Sequence, residues 1–231
     1  MEKIRALLRQ AALQSPAPKG LFYKTGPGYY AAHDRFMGVN VPTLRNIAKM
    51  FPDLSLEELE TLLKSKMNEE RFLALVILVN QYQKASTLQK EVLYQFYRDN
   101  LRHVNNWNLV DASAHLILGV HLEGKDKSVL SSLAKSKILW ERRIAVVATW
   151  HFIRKGDLRW TFEMATLLLK DPHDLIHKAV GWMLREAGKR DEKQLMEFLD
   201  QYGKTMPRTM LRYAIEKFSE HRRKHYLLSQ N

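Results

Sequence analysis

Apolar residues recur at intervals of three and four along almost the whole chain, and no strand-like alternation competes with them over any useful length. Outside residues 15–28 nearly every segment reads as helix, so the fold class is all-α. Several helix starts are marked chemically. Ser55-Leu56-Glu57-Glu58 fits a capping box, and Asp171-Pro172 and Met206-Pro207 put proline where a first helical turn tolerates it. The more apolar helix of each successive pair starts near Asn68, Asn105, Ile138, Pro172 and Pro207, at spacings of 37, 33, 34 and 35 residues. A more polar helix precedes each of them, over roughly 55–65, 86–98, 125–135, 158–170 and 191–202. A helix–turn–helix unit of this period cannot bury its apolar face alone. It stacks on its neighbours, which predicts an α-α solenoid curving around a concave face and one domain over residues 1–231.

Residues 15–28 hold three of the seven prolines and three of the ten glycines, and are expected to form a loop between an N-terminal helix and the array. The aromatics Phe22, Tyr23, Tyr29 and Tyr30 argue that this stretch docks, either on the first repeat or over a ligand.

Thirty-seven Lys and Arg oppose 25 Asp and Glu, a formal charge of +12, with the larger excess after residue 120. Nucleic acid is the first partner class that such a charge attracts. With no cysteine, disulfides, thiolate metal sites and cysteine nucleophiles are excluded. The longest apolar run, Leu73 to Val79, is far too short for a membrane span, and Met1-Glu2-Lys3-Ile4-Arg5 lacks a signal-peptide core. A soluble cytoplasmic monomer is the expectation.

The candidate chemistry sits in the first turns of the apolar helices: Arg71, Trp107 with Asp111, Arg142 with Arg143, His177 with Trp182, and Arg208 with Arg212. Stacked in register, these line one surface; taken singly, each Arg fits a solvated loop better than a binding role. Trp107 and Asp111, four residues apart, share one helical face, which is either packing and capping or a site for cationic chemistry. Arg142 and Arg143 point about 100° apart, so one can pair with an acid inside the protein while the other reaches a phosphate. Gly181 within a helix costs about 1 kcal/mol relative to Ala, and implies close approach of another helix or of a nucleic-acid backbone. His173-Asp174-Leu175-Ile176-His177 has metal-like spacing, but Asp replaces the expected Glu and no third ligand stands nearby. His221 and His225 fall in a basic run that reads as a solvated helix. Gly26-Pro27-Gly28 lacks the strand and Lys-Ser/Thr of a phosphate loop, so no metal and no cofactor are implied.

Five separated motifs now stand in order: Asn105-Asn106-Trp107-Asn108-Leu109-Val110-Asp111, Trp140-Glu141-Arg142-Arg143, the 152–157 run, Leu175 through Glu186, and Met206-Pro207-Arg208-Thr209. Together with Gly28-Tyr29-Tyr30 and Phe36-Met37-Gly38-Val39 they resemble the AlkD family of DNA alkylation repair glycosylases over nearly the whole length. That resemblance implies a HEAT-like solenoid with a basic concave groove holding double-stranded DNA. It also implies hydrolysis of the N-glycosidic bond of cationic alkylated purines, such as 3-methyladenine and 7-methylguanine, in base excision repair without base flipping. By the same likeness Asp111 is the essential carboxylate, and Trp107 and Trp182 flank the damaged nucleotide. Arg143 binds phosphate with Arg142 as its adjacent alternative, and Tyr30 or its neighbour Tyr29 is a site tyrosine. Lys178, Arg208 and Arg212 are expected to join the DNA contacts. The competing readings are a noncatalytic HEAT-like solenoid that only binds DNA, and a protein-binding scaffold.

Overall fold

A computed structural model describes residues 1–14 and 23–228, which form two compact units, the first running through Ser113 and the second from Ala114 onward. The regular structure among the described residues is helical, apart from a single isolated bridge between Arg35 and Met67. None of their helices is long and apolar enough to cross a membrane.

The first unit contains α1 (Glu2–Gln14), α2 (Val41–Lys49), α3 (Leu56–Leu63), α4 (Asn68–Lys84), α5 (Thr87–Asp99), a 3₁₀ turn (Leu101–His103) and α6 (Trp107–Ser113). Helix α4 is its centre, packing on α2, α3, α5 and α6. It is apolar on nearly every side, as a helix surrounded by others must be. Its first turn, Asn68-Glu69-Glu70-Arg71, is nevertheless polar and buried. Burying such groups is tolerable only if each finds a partner, and here the partners are separate parts of the unit. Glu70 takes Arg5 of α1 at 3.2 Å, Glu69 takes the Gly38 amide at 2.8 Å, and Arg71 and Asn68 take Asp34. The polar turn of α4 thus fastens α1 and the 23–40 segment to the core.

That segment corrects the expectation of near-continuous helix: residues 29–40 carry none. Gly38 has φ +91°, a conformation L side chains rarely adopt, and its amide is spent on Glu69 rather than on a helical carbonyl. Residues 15–22 of the expected loop lie outside the described residues.

The second unit begins with a π-helical turn (His115–Gly119), then α7 (Ser128–Ala134), α8 (Leu139–Ala148), α9 (Trp150–Arg154), α10 (Arg159–Leu167), α11 (Asp174–Gly188), α12 (Glu192–Tyr202), α13 (Arg208–Ala214) and α14 (Glu220–Leu228). Helix α11 is its centre, touching α8, α10, α12 and α13. Gly181 explains how α13 comes so close. A Cβ there would sit 2.5 Å from the Met210 carbonyl oxygen and 2.5 Å from Tyr213 Cβ, so helix–helix contact is what the missing side chain permits.

The capping boxes at Ser55 and Ser86 form with both reciprocal bonds, the first as read from sequence. Pro172 and Pro207 fall just before their helices rather than inside the first turn, because α11 starts at Asp174 and α13 at Arg208. Helices open at Asn68, Trp107, Leu139, Asp174 and Arg208, within two residues of the positions expected from the repeat.

Candidate active-site residues

In the first unit, Trp107 is the first residue of α6 and Asp111 lies one turn on; both are part-exposed, while Leu109, Val110 and Ser113 face the core. The orientation of this helix is set by its asparagines. Asn106 is fully buried, accepts the Trp107 amide at 2.7 Å and donates through Nδ2 to Asp34. Asn108 donates to Asn68 at 2.7 Å, and Asn68 donates to Asp34 at 2.9 Å. Asp34 therefore gathers Asn68, Asn106, the Arg71 guanidinium and His33, with its own side chain wholly out of solvent. A charged acceptor with this many donors strengthens each bond, and it holds the start of α6 against the start of α4.

One face of Trp107 is already covered. Tyr23 stacks on it with ring centres 5.1 Å apart at 17°, and Tyr23 stacks in turn on Phe36 at 4.3 Å and 25°. Burial drives the Tyr23 phenol far above its ordinary pKa, and the charges of Glu69 and Asp34, then Tyr30 and Asp111, push it in the same direction. Tyr23 is therefore a neutral phenol within electrostatic reach of Asp111. Tyr30 belongs to this group and is half-buried, whereas Tyr29 is 57% exposed. A cavity of about 460 Å³ in this unit, lined by Pro52, Leu56, Gln81, Lys84 and Val92 among others, includes none of these residues.

In the second unit, Trp182 is half-buried on α11 and meets Trp150 edge-on, at 5.0 Å and 64°. Trp150 rests on the His115 ring at 4.5 Å. Arg142 is committed inside the protein: it pairs with Asp171 at 2.6 Å and donates to the carbonyls of Ser136 and Lys137 at 3.1 Å. Arg143 is 5% exposed, with Nη1 donating to the Leu175 carbonyl at 2.7 Å. Lys178 pairs with Asp174 at 2.7 Å, and Arg208, exposed, donates to the Leu227 carbonyl. Arg212 is exposed and borders a cavity with Thr209, Tyr213, Glu216 and Arg223.

The shared phase of Arg71, Arg142 and His177 has an internal use. Each donates to the backbone carbonyl six residues earlier, that of Ser65, Ser136 and Asp171 respectively. The side chain closes the turn that leads into its own helix, so these three do not form the ligand-facing row that their spacing suggested. His173 and His177 are likewise accounted for without a metal. His173 caps α11, its Nδ1 accepting the Leu175 amide at 3.1 Å, and no group of three or more His, Asp or Glu arranged for a metal occurs among the described residues.

The family model of DNA alkylation repair enzymes matches residues 20–218. The chain belongs to that family. Its role therefore lies in the repair of alkylated DNA. A solved structure from Enterococcus faecalis, described as a predicted DNA alkylation repair enzyme, superposes with a TM-score of 0.67 over 82% of this chain and 91% of that one. At 16% identity that likeness speaks for the fold. No curated relative matches the chain by sequence. Within this DNA alkylation repair enzyme, sequence reasoning singled out Trp107, Asp111 and Trp182, gave Tyr23 only as a docking aromatic without its partner, and missed Asp34 and Trp150. Asp34 is a lone acid in a loop with no local pattern. Trp150 is an aromatic whose importance depends on what it touches.

Proposed function

We propose that this DNA alkylation repair enzyme is a DNA glycosylase that hydrolyses the N-glycosidic bond of cationic alkylated purines, 3-methyladenine and 7-methylguanine among them, in duplex DNA. Alkylation at a ring nitrogen leaves the purine positively charged. When the C1′–N bond breaks, its electron pair goes to the base, which leaves neutral and needs no general acid. Positive charge develops on the deoxyribose, and water then adds at C1′ and loses a proton. Such a reaction needs a fixed negative charge aimed at the sugar. Asp111 takes that role and orients the water.

The observation that carries the reading is the Trp107–Asp111 pair. It lies on the part-exposed side of a short helix whose start is pinned through buried Asp34, which accepts from Asn68, Arg71 and Asn106. Preorganisation of this kind is what electrostatic catalysis requires, because a carboxylate free to swing away would lose its effect. Trp107 offers the face that Tyr23 leaves open, and Trp182 offers a second ring. Cation–π attraction contributes about 0.5–2 kcal/mol at each. Arg143 is assigned to a backbone phosphate, and no metal is needed.

The test is release of 7-methylguanine from methylated duplex in the presence of EDTA. Asp111→Asn is expected to slow single-turnover release by about 10²–10³-fold while leaving DNA affinity intact. Full activity in that variant would remove Asp111 from the mechanism. Tight DNA binding by the wild-type protein with no base release from any cationic purine would instead favour a noncatalytic solenoid.

A further inference from the structure

Trp150 and Arg154 stand four residues apart on α9, the same spacing as Trp107 and Asp111 but with the opposite charge. The Arg154 guanidinium lies over the Trp150 ring, 4.3 Å from its centre, and Trp182 meets Trp150 edge-on at 5.0 Å. Arg154 is exposed and makes no hydrogen bond or ion pair with any described residue. Asp157, three residues on, is held by Arg159 at 3.0 Å, and Glu123, the acid that serves the same helix and its end, accepts His151 at 3.0 Å and Lys155 at 3.3 Å. Arg142, by contrast, is neutralised by Asp171, and Lys178 by Asp174.

We infer that Arg154 is a phosphate-binding residue for the DNA strand that passes Trp182, preorganised by its stack on Trp150. A guanidinium that spends its flat face on an aromatic ring keeps its edge, and the N–H groups on it, free for a bidentate phosphate contact. The stack also restricts the rotamers that a long side chain would otherwise lose on binding, so less is lost when the contact forms. His115 packs against the same Trp150 ring at 4.5 Å and helps to hold the platform in place. The inference rests on the DNA-binding part of the proposed function and not on its chemistry.

The experiment measures affinity for an undamaged duplex by fluorescence anisotropy between 50 and 200 mM salt, for wild type, Arg154→Gln, Arg154→Lys and Trp150→Leu. One phosphate contact contributes about 0.9 to the slope of log affinity against log salt, so Arg154→Gln should lower the magnitude of that slope by roughly this amount. The advantage of wild type over Arg154→Gln should then shrink about 3.5-fold across the salt range. Arg154→Lys should restore the slope, and Trp150→Leu should keep most of the slope while weakening affinity at every salt concentration. An unchanged slope in Arg154→Gln overturns the inference even if wild type binds DNA and releases base. Wild type that binds DNA with the expected slope but releases no base leaves Arg154 in place and removes the glycosylase reading alone. Wild type with no DNA affinity removes both.

Discussion

Replacing Gly181 with Ala tests the packing that positions Trp182. Two effects oppose each other. Alanine in a helix interior is favoured over glycine by about 1 kcal/mol. Against that, the new Cβ would lie 2.5 Å from both the Met210 carbonyl oxygen and Tyr213 Cβ, and 3.3 Å from the Ala214 amide nitrogen. Carbon atoms rest at about 3.5–4.0 Å from their neighbours, so α11 and α13 must part by roughly 1 Å. Two of the three obstructing atoms are backbone, and no rotamer change relieves them. Because backbone atoms cannot turn aside, the upper part of the overpacking range applies, about 2–3 kcal/mol, which leaves a net loss of about 1–2 kcal/mol. For a chain of this size that corresponds to a fall in Tm of about 2–8 °C. Gly188, the last residue of the same helix, is the internal control. Its added Cβ meets only the side chain of Leu195, foremost the Cδ2 methyl, which can turn aside. Gly188→Ala should therefore fall within about 1 kcal/mol of wild type. Urea and thermal unfolding of both variants decide the matter, and base release reports whether Trp182 has moved with α11. A Gly181→Ala protein as stable as wild type would refute the close-packing argument.

Two further outcomes follow from the buried polar groups. Asp34→Asn strips the charge that compensates Arg71, whose side chain is 3% exposed, and should cost about 3–5 kcal/mol in urea unfolding, with base release failing as α6 loosens; a loss below 1 kcal/mol would show that the Asp34 cluster does not hold the helix. His173 caps α11 as a neutral ring, and burial sets its pKa below the ordinary value, with Arg142 and His177 adding to that effect against the opposing Asp171 and Asp174. Its folded pKa is depressed, so its contribution is complete above about pH 6.5 and is lost as pH falls through the folded value. His173→Asn keeps an acceptor at every pH and should flatten the stability profile between pH 7 and 5 by about 0.5 kcal/mol, the low end for a cap because the ring is partly screened by water; superimposable profiles would exclude the cap as the titrating element.

The all-helical class, the order of the elements and the helix starts were legible in sequence because they depend on short-range chemistry. A Ser followed by Glu three residues later closes its own cap at Ser55, and the three-and-four recurrence of apolar residues needs only one helix to be meaningful. The pairing of Trp107 with Asp111 was legible for the same reason, since both sit on one short helix. Phase alone misled where one side chain had two uses. Arg71, Arg142 and His177 recur like a binding row, yet each is absorbed by a carbonyl of its own turn. Only the tertiary structure decided that Arg142 is neutralised while Arg154 is open, that Gly181 serves α13, and that Tyr23 takes one face of Trp107. Asp34 shows why. Its donors come from residues 68, 71 and 106, up to 72 positions away from it in sequence, and no local pattern encodes a contact that exists only once distant segments have packed around one buried charge.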